Sequence, residues 1–112
     1  MNCIFCSIIA KEIPSKTVYE DESVLAFYDL NPQAPTHVLI IPKLHIESAN
    51  GINSENSKYI AHIFEVIPKI ANDLGLDGGY RIVSNCGADA CQSVKHIHFH
   101  ILGGTQLSDN MA

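Results

Sequence analysis

Residues 96–102 read HIHFHIL, a short run in which histidines and apolar residues alternate. In a β-strand successive side chains point to opposite faces, so residues two apart share a face at a Cα spacing of about 7 Å. His96, His98 and His100 are therefore expected on one face, and the apolar residues that alternate with them on the other. The run predicts a strand with an apolar core behind it and three imidazoles in front.

Three imidazoles in register could bind a metal or carry out catalysis. One zinc ion held by all three is awkward, because the outer two residues of such a run are about 14 Å apart and zinc–nitrogen bonds are about 2.0–2.1 Å. Two of the rings could still share an ion. Neighbouring imidazoles oppose each other's protonation, so the middle ring, His98, is expected to be neutral and nucleophilic. The pattern favours catalysis, in which His98 attacks a phosphorus or acyl centre.

The segment just before the histidines, NCGADACQSV, favours a phosphorus centre over an acyl centre as the target of attack. Asn85, Gln92 and Ser93 supply amide and hydroxyl groups on a predicted turn, and the backbone N–H groups of such turns form anion-binding concavities. The chain has no lysine-rich phosphate-binding loop. A phosphate would therefore be held by dipoles, hydroxyls and imidazoles.

Five extended segments and one long helical pattern define the predicted fold. The strands are expected at KTVYED, VLAFYDL, HVLIIP, GYRIVSN and HIHFHIL. After Asn53, apolar residues recur at spacings of three and four, which predicts an amphipathic helix that ends at Gly75 and that Pro68 kinks or splits. Residues 3–13 predict a short helix. Without regular βα alternation, this is an α+β fold with a mostly antiparallel five-stranded sheet, one long helix and a short N-terminal helix.

Length and charge narrow the functional classes. The 112 residues suit one domain that spans residues 1–112, and a net charge of −5 without a basic cluster argues against long nucleic acids as partners. No apolar run approaches the ~20 residues needed to cross a bilayer, so no membrane association is expected. The first residues, MNCIFCSIIAKE, lack a secretory pattern. We expect a cytoplasmic protein, also nuclear if eukaryotic, with its four cysteines reduced.

The histidine run and several other segments resemble those of a known family. HIHFHIL matches the His-φ-His-φ-His-φ-φ signature of the histidine triad (HIT) superfamily, where φ is an apolar residue. DLNPQAPTHVLIIPKLHI, GYRIVSN, ACQSV and HILGG are similar to its Hint branch, the purine nucleoside phosphoramidases and protein kinase C-interacting-protein-like members. The resemblance covers roughly residues 3–106, with several segments in the same order.

The resemblance implies hydrolysis of the P–N bond of a purine nucleoside 5′-phosphoramidate through a covalent nucleotidyl-histidine. His98 would be the nucleophile, His37 would lie beside it, and His100 and Ser93 would contact phosphate oxygens or the leaving group. Asp29 would bind the ribose hydroxyls, for which a carboxylate is a suitable acceptor. The remaining predicted substrate contacts are Asn85 and Gln92 at the phosphate and Ile4, Phe5, Ile8, Phe27 and Leu30 around the base.

Cys3 and Cys6 form a C-x-x-C pair, and its role depends on whether other residues can complete a metal site with it. A thioredoxin-like redox role needs a βαβ context, which is missing. Many HIT proteins carry a similar pair, and the resemblance implies a structural zinc bound by Cys3, Cys6, His45 and His96. A reduced thiol pair without metal and a redox pair stay open as alternatives.

The chain departs from the branch in three places. Cys86 replaces an acidic residue, Cys91 stands where glycine is usual, and the tail TQLSDNMA lacks the Trp-Pro-Pro-Gly-like end of animal members. A side chain at 91 would crowd the phosphate if that glycine has a positive φ. A dinucleoside polyphosphate hydrolase and a non-catalytic nucleotide-sensing scaffold remain alternative functions. The resemblance also implies a C₂ homodimer, formed by the long helix and the GYRIVSN strand.

Overall fold

The computed structural model describes residues 3–111 and contains two helices, five strands and two short 3₁₀ turns. In chain order the elements are α1 (Ile4–Ile9), β1 (Thr17–Glu20), β2 (Val24–Tyr28), β3 (Thr36–Pro42), a 3₁₀ turn at Ala49–Gly51, α2 (Ser57–Asp73), β4 (Tyr80–Val83), a 3₁₀ turn at Ala88–Ala90, and β5 (Phe99–Gly103). The predicted α+β class is confirmed.

The five strands form one sheet in the order β1-β2-β3-β5-β4, and every neighbouring pair is antiparallel. β5 lies between β3 and β4, so the long connection through α2 brings the C-terminal half of the chain back to the sheet. In the β3–β5 register His37 is opposite Leu102, and Leu39 is opposite His100. The predicted histidines of β3 and β5 therefore lie on adjacent strands.

The two helices cover opposite faces of the sheet, and each strand distributes its side chains between them. Val24 and Ala26 of β2 belong to the core under α2, whereas Leu25 and Phe27 belong to the core under α1. This follows from the two-residue period of a strand. Because both faces are covered, β2 and β3 are almost continuously buried, as their β-branched and apolar sequences require.

The long helix begins later than the sequence suggests and runs through its proline. The Asn53 side chain accepts hydrogen bonds from two backbone N–H groups in the turn before Ser57, where α2 begins. Gly75 ends the helix with a φ of 72°. The expected split at Pro68 does not occur. Pro68 and Phe64 lie on the exposed side, so water can reach the Phe64 carbonyl that has no N–H partner.

The histidine run is only partly a strand, although its side chains alternate as expected: Ile97, Phe99 and Ile101 belong to the core under α2, and the rings of His96 and His98 both contact Phe5 of α1. β5 begins at Phe99, after the first two histidines. The Ile97 N–H donates to the Ile46 carbonyl, in a loop rather than a neighbouring strand. The His96 ring donates a hydrogen bond to the Pro42 carbonyl and contacts the His45 ring, whereas the His98 ring contacts the His100 ring. Within residues 3–111, no helix has the length and apolar character needed to cross a membrane.

Candidate functional site

A chain of hydrogen bonds fixes the ring orientation of two histidines on β3 and β5. The backbone N–H of Gln33 donates to His37 Nδ1 at 3.0 Å, so the proton of a neutral His37 ring must be on Nε2. His37 Nε2 then donates to His100 Nδ1 at 2.8 Å, which leaves the His100 proton on Nε2. The turn that carries Gln33 therefore determines which nitrogen of His100 can donate to a ligand.

His98 is held in the opposite tautomer. Its Nδ1 donates to the main-chain carbonyl of His96 at 2.8 Å, so its Nε2 is unprotonated in the neutral ring. Within residues 3–111, Nε2 has no hydrogen-bond partner, although the side chain is only 3% exposed. The His98 ring contacts the rings of Phe5 and His100 at centroid distances of 5.2 and 5.1 Å. The result is a buried imidazole with a free lone pair.

Burial keeps the neighbouring rings neutral near pH 7. It lowers the pKa of His100 to about 4, and the nearby His98 and His37 rings act in the same direction. Burial also lowers the pKa of His37, although the carboxylate of Asp29, 3.5 Å from His37 Nε2, opposes this. The tautomers inferred from the hydrogen bonds are those of neutral imidazoles, so the two observations agree.

The loop before the histidines is tied together by side-chain amides. Asn85 Nδ2 donates to the Ala90 carbonyl at 2.7 Å. The Gln92 amide accepts from the Gly87 N–H and donates to the carbonyls of Glu47 and Val94. Both polar atoms of the Gln92 side chain therefore form hydrogen bonds within the protein, and its predicted contact with substrate stays a prediction.

An apolar cavity of about 240 Å³ opens beside His98 on the α1 side of the sheet. The Phe5 and Phe27 rings meet in its wall edge to face at 5.6 Å. The other residues of the predicted base slot, Ile4, Ile8 and Leu30, also line it, as do Asp29, Ser93, His98 and His100. Leu30 is 99% exposed, so it lies at the rim rather than in the wall.

A second, polar cavity of about 670 Å³ adjoins the first at the histidines. Its lining consists of Asp29, Asn31, Gln33, His37, Asn85, Cys91, Ser93, His98 and His100. All four predicted catalytic residues are in this set, and it contains no lysine or arginine. The sequence does not predict the contribution of the Asn31–Gln33 turn, although Pro32 within it and Pro35 after it mark a turn beside His37.

A separate cluster lies where α1 meets the end of β3. His96 Nδ1 is 3.4 Å from Cys3 Sγ, 3.6 Å from Cys6 Sγ and 3.1 Å from His45 Nδ1, and Cys6 Sγ is 3.3 Å from His45 Nδ1. The other His96 nitrogen donates to the Pro42 carbonyl at 2.8 Å, so Nδ1 presents a lone pair to the cluster.

The donor set of this cluster fits zinc. Two sulfurs and two imidazole nitrogens around a tetrahedral zinc lie about 3.3–3.8 Å apart when the bonds are 2.0–2.3 Å, close to the observed separations. Burial, together with the Cys3 sulfur, raises the pKa of the Cys6 thiol to about 11, so a nearby cation would be needed to stabilise the thiolates. Burial lowers the pKa of His96 to about 4, which keeps it in the neutral form that a metal requires.

Asp29, His37 and His100 also bring three possible ligand atoms together, but they do not fit a metal. An ion on His37 Nε2 would require the ring proton on Nδ1. The Gln33 N–H already points at Nδ1, so two hydrogens would meet there. The 2.8 Å contact between His37 and His100 is therefore a hydrogen bond rather than half of a metal site.

Comparison with known proteins gives a consistent set of relatives. The family described as HIT domain matches residues 10–107. A "14 kDa zinc-binding protein" of Zea mays is 51% identical over 108 residues, which cover 94% of this chain and 84% of that protein. The "purine nucleoside phosphoramidase" of Escherichia coli (strain K12) is 44% identical over 110 residues, with 97% and 92% covered. The structure of a "HIT family hydrolase" from Clostridium thermocellum superposes with a TM-score of 0.96 at 47% identity, covering 99% of this chain and 97% of that one.

Proposed function

This chain belongs to the HIT domain family, and from that premise we propose that it is a hydrolase of purine nucleoside 5′-phosphoramidates. The observation that carries the proposal is the free Nε2 lone pair of His98, which is 3% exposed and lines both cavities. A buried imidazole whose Nδ1 is held by a hydrogen bond and whose Nε2 faces a cavity is suited to nucleophilic attack. The name of the Escherichia coli relative supports the choice of substrate.

The reaction proceeds in two displacements at phosphorus. His98 Nε2 attacks, the P–Nε2 bond forms, and the P–N bond to the amine breaks as the amine takes up a proton from solvent. Water then attacks the same phosphorus and gives a proton to solvent, the P–Nε2 bond breaks, and the nucleoside monophosphate leaves with His98 restored. Throughout, the His98 Nδ1–H donates to the His96 carbonyl, which stabilises the positive charge on the substituted ring.

The two cavities divide the substrate between them. The purine occupies the apolar cavity between Phe5 and Phe27, and the ribose hydroxyls bind the Asp29 carboxylate at its mouth. The phosphate lies in the polar cavity, where His100 Nε2–H and the Ser93 hydroxyl donate to its oxygens and Asn85 borders it. Preformed donors of this kind stabilise the charge that develops in the transition state.

The charge of the polar cavity favours an amine as leaving group over a polyphosphate. A dinucleoside polyphosphate would release a nucleotide with several negative charges. The lining offers no lysine or arginine to pair with them and includes the Asp29 carboxylate. A neutral or cationic amine meets no such repulsion. The polyphosphate hydrolase and the non-catalytic sensor remain the alternatives, and the second would leave the ordered tautomers of His98 and His100 without a use.

We propose that Cys3, Cys6, His45 and His96 hold a structural zinc ion, which the donor geometry and the name of the Zea mays relative support. All four positions of a tetrahedral ion would be occupied by protein, so the zinc would supply cross-linking rather than reaction chemistry. It would join α1 to the end of β3 and to the segment that leads into His98.

We also propose a cytoplasmic homodimer. β4 is an edge strand with Ile82 exposed, and Phe64 is exposed on α2. An open apolar edge of this kind is usually covered by pairing. Light scattering after size exclusion tests the dimer, and a species of one chain mass would contradict it.

The cytoplasmic location is supported by the described cysteines. They form no disulfide, which suits a reducing compartment.

The central experiment compares substrates and looks for the intermediate. The protein is incubated with adenosine 5′-phosphoramidate and, separately, with diadenosine polyphosphates, and turnover is compared. Rapid quenching under alkaline conditions, where phosphohistidine survives, should trap adenosine monophosphate on a peptide that contains His98. Preferred turnover of the polyphosphate would support the alternative hydrolase. Binding without turnover of either substrate would support the sensor.

A further inference from the structure

One residue in the wall of the polar cavity has a backbone conformation that side chains rarely adopt. Cys91 has a φ of 61° and a ψ of 41°, in the left-handed region that favours glycine. Its side chain is exposed and lines the same cavity as Ser93 and His98. The His98 residue is almost fully buried, but its Nε2 has no partner in the described chain and faces the cavity, so it marks where the reacting phosphorus must sit. Cys91 is therefore part of the wall around the reacting atoms.

The loop holds this side chain in place. The carbonyl of the preceding residue, Ala90, accepts from the Asn85 side chain at 2.7 Å, and the Cys91 N–H donates to the Ala88 carbonyl at 3.0 Å. The N–H of the following residue, Gln92, donates to the Gly87 carbonyl at 3.1 Å. With the backbone fixed on both sides, the Cα–Cβ bond of Cys91 cannot turn out of the cavity unless these hydrogen bonds break.

Building on the proposed function, we infer that Cys91 is a specificity-determining residue that limits the size of the leaving group in the polar cavity. The purine has its own apolar cavity on the α1 side, which Cys91 does not line. The group that departs from phosphorus must therefore extend through the polar cavity, and Cys91 lies in that wall with its Cβ position fixed by the backbone. Small amines fit beside the Cys91 side chain, whereas branched or aromatic amines clash with it.

The test is a ratio of rates for two substrates that differ only in the amine. For each protein, kcat/KM is measured with unsubstituted adenosine 5′-phosphoramidate and with its N-benzyl derivative. Cys91→Gly should raise the N-benzyl to unsubstituted ratio by about tenfold, the effect expected when a pocket gains room for a methylene or two. Cys91→Ala should raise it less, and Cys91→Leu should lower it by a similar factor. Cys86→Ala, a smaller side chain on the same loop outside both cavities, should leave the ratio unchanged.

A binding measurement separates this inference from the proposed function. The Kd of N-benzyl adenosine phosphoramidate relative to that of adenosine monophosphate is determined on a His98→Asn background, with and without each Cys91 substitution. That ratio should follow the same order even if wild-type turnover is absent, in which case the hydrolase proposal alone fails. Equal ratios for Gly, Ala and Leu at position 91, in folded proteins, would overturn the role of Cys91 whatever the turnover. Equal changes in Cys86→Ala would do so as well, because they would point to the loop as a whole.

Discussion

The main-chain carbonyl of His96 accepts a hydrogen bond from Nδ1 of His98 at 2.8 Å, while the His96 ring points into the Cys3/Cys6/His45 cluster. One residue thus contributes its side chain to the proposed metal site and its backbone to the proposed nucleophile. Because a carbonyl can only accept, it fixes the His98 proton on Nδ1 and leaves the lone pair on Nε2. The zinc proposal and the catalytic proposal therefore meet at His96 but depend on different atoms.

Replacing His98 removes the proposed nucleophile. His98→Ala or His98→Asn should lower kcat for adenosine 5′-phosphoramidate by on the order of a thousandfold or more, since no covalent intermediate can form without the imidazole. Calorimetric titration with adenosine monophosphate should give a Kd close to that of the wild type. Turnover within tenfold of the wild type in His98→Ala would show that another group attacks phosphorus.

The His100 ring should remain neutral well below the usual titration range of histidine. Because burial lowers the pKa of His100 to about 4, its ring proton signals should stay at neutral positions from pH 8 to pH 5, and the signals of His37, whose pKa burial also lowers, should titrate below the usual range. Proton NMR titration measures this, with His37→Asn and His100→Asn used to assign the signals. A midpoint near 6.5 for His100 would show that burial does not lower the pKa of this ring.

His62 on α2 should make the protein more stable at low pH than at high pH. Its Nε2 is 2.6 Å from Asp21 Oδ2 in the β1–β2 turn, and this hydrogen bond raises the pKa of His62. A raised pKa stabilises the fold fully below the unfolded value of about 6.5, and that contribution disappears as pH rises through the folded pKa. His62→Gln should therefore lower the free energy of unfolding more at pH 6 than at pH 9.

Urea denaturation of the wild type and His62→Gln at the two pH values gives the difference directly. Glu65→Gln is a useful control because Glu65 is an exposed and more distant partner, 3.5 Å from His62 Nδ1. It should show a smaller dependence on pH. Ionisation of Asp21 affects the pH dependence of stability only in acid. Although burial opposes the shift, hydrogen bonds from His62, Ser23, Tyr19 and Val24 hold its pKa well below the usual range, so its contribution is lost only in strong acid.

Periodicity in the sequence was enough to predict the sheet and the long helix. The strands are short, β-branched and bounded by turns, and α2 has apolar residues such as Ile63, Ile67 and Ile70 on its buried side. These signals are local and depend on which face each residue must bury. The strand count, the class and the position of α2 followed from them.

The features that sequence could not predict depend on contacts between distant segments. The strand of HIHFHIL begins only at Phe99, because the backbone at Ile97 pairs with Ile46 and the His96 ring donates to the Pro42 carbonyl. Likewise, the tautomer of His37 is set by a backbone N–H in the preceding turn, which is invisible in residue type. Residue identity suggested the chemistry, but proton positions required the folded geometry.

Zinc removal should separate stability from catalysis. If Cys3, Cys6, His45 and His96 hold the ion, elemental analysis of protein purified without chelators should give about one zinc per chain. An ion present at a hundred times its Kd adds about 2.7 kcal/mol to the free energy of unfolding, which for a chain of this size corresponds to roughly 10 °C in Tm. Chelation and the double substitution Cys3→Ser/Cys6→Ser should both lower Tm by an amount of this order.

Activity should persist in the molecules that remain folded. The partner of His98 Nδ1 is the backbone carbonyl of His96 and not its ring, so loss of the ion leaves the Nε2 lone pair in place. The matched control is Cys86→Ser, which should keep both the zinc content and the Tm of the wild type, since Cys86 is outside the cluster. Activity that falls in step with zinc content while circular dichroism reports an intact fold would assign the ion to the reaction. Zinc-free protein with an unchanged Tm would leave Cys3 and Cys6 as an ordinary thiol pair.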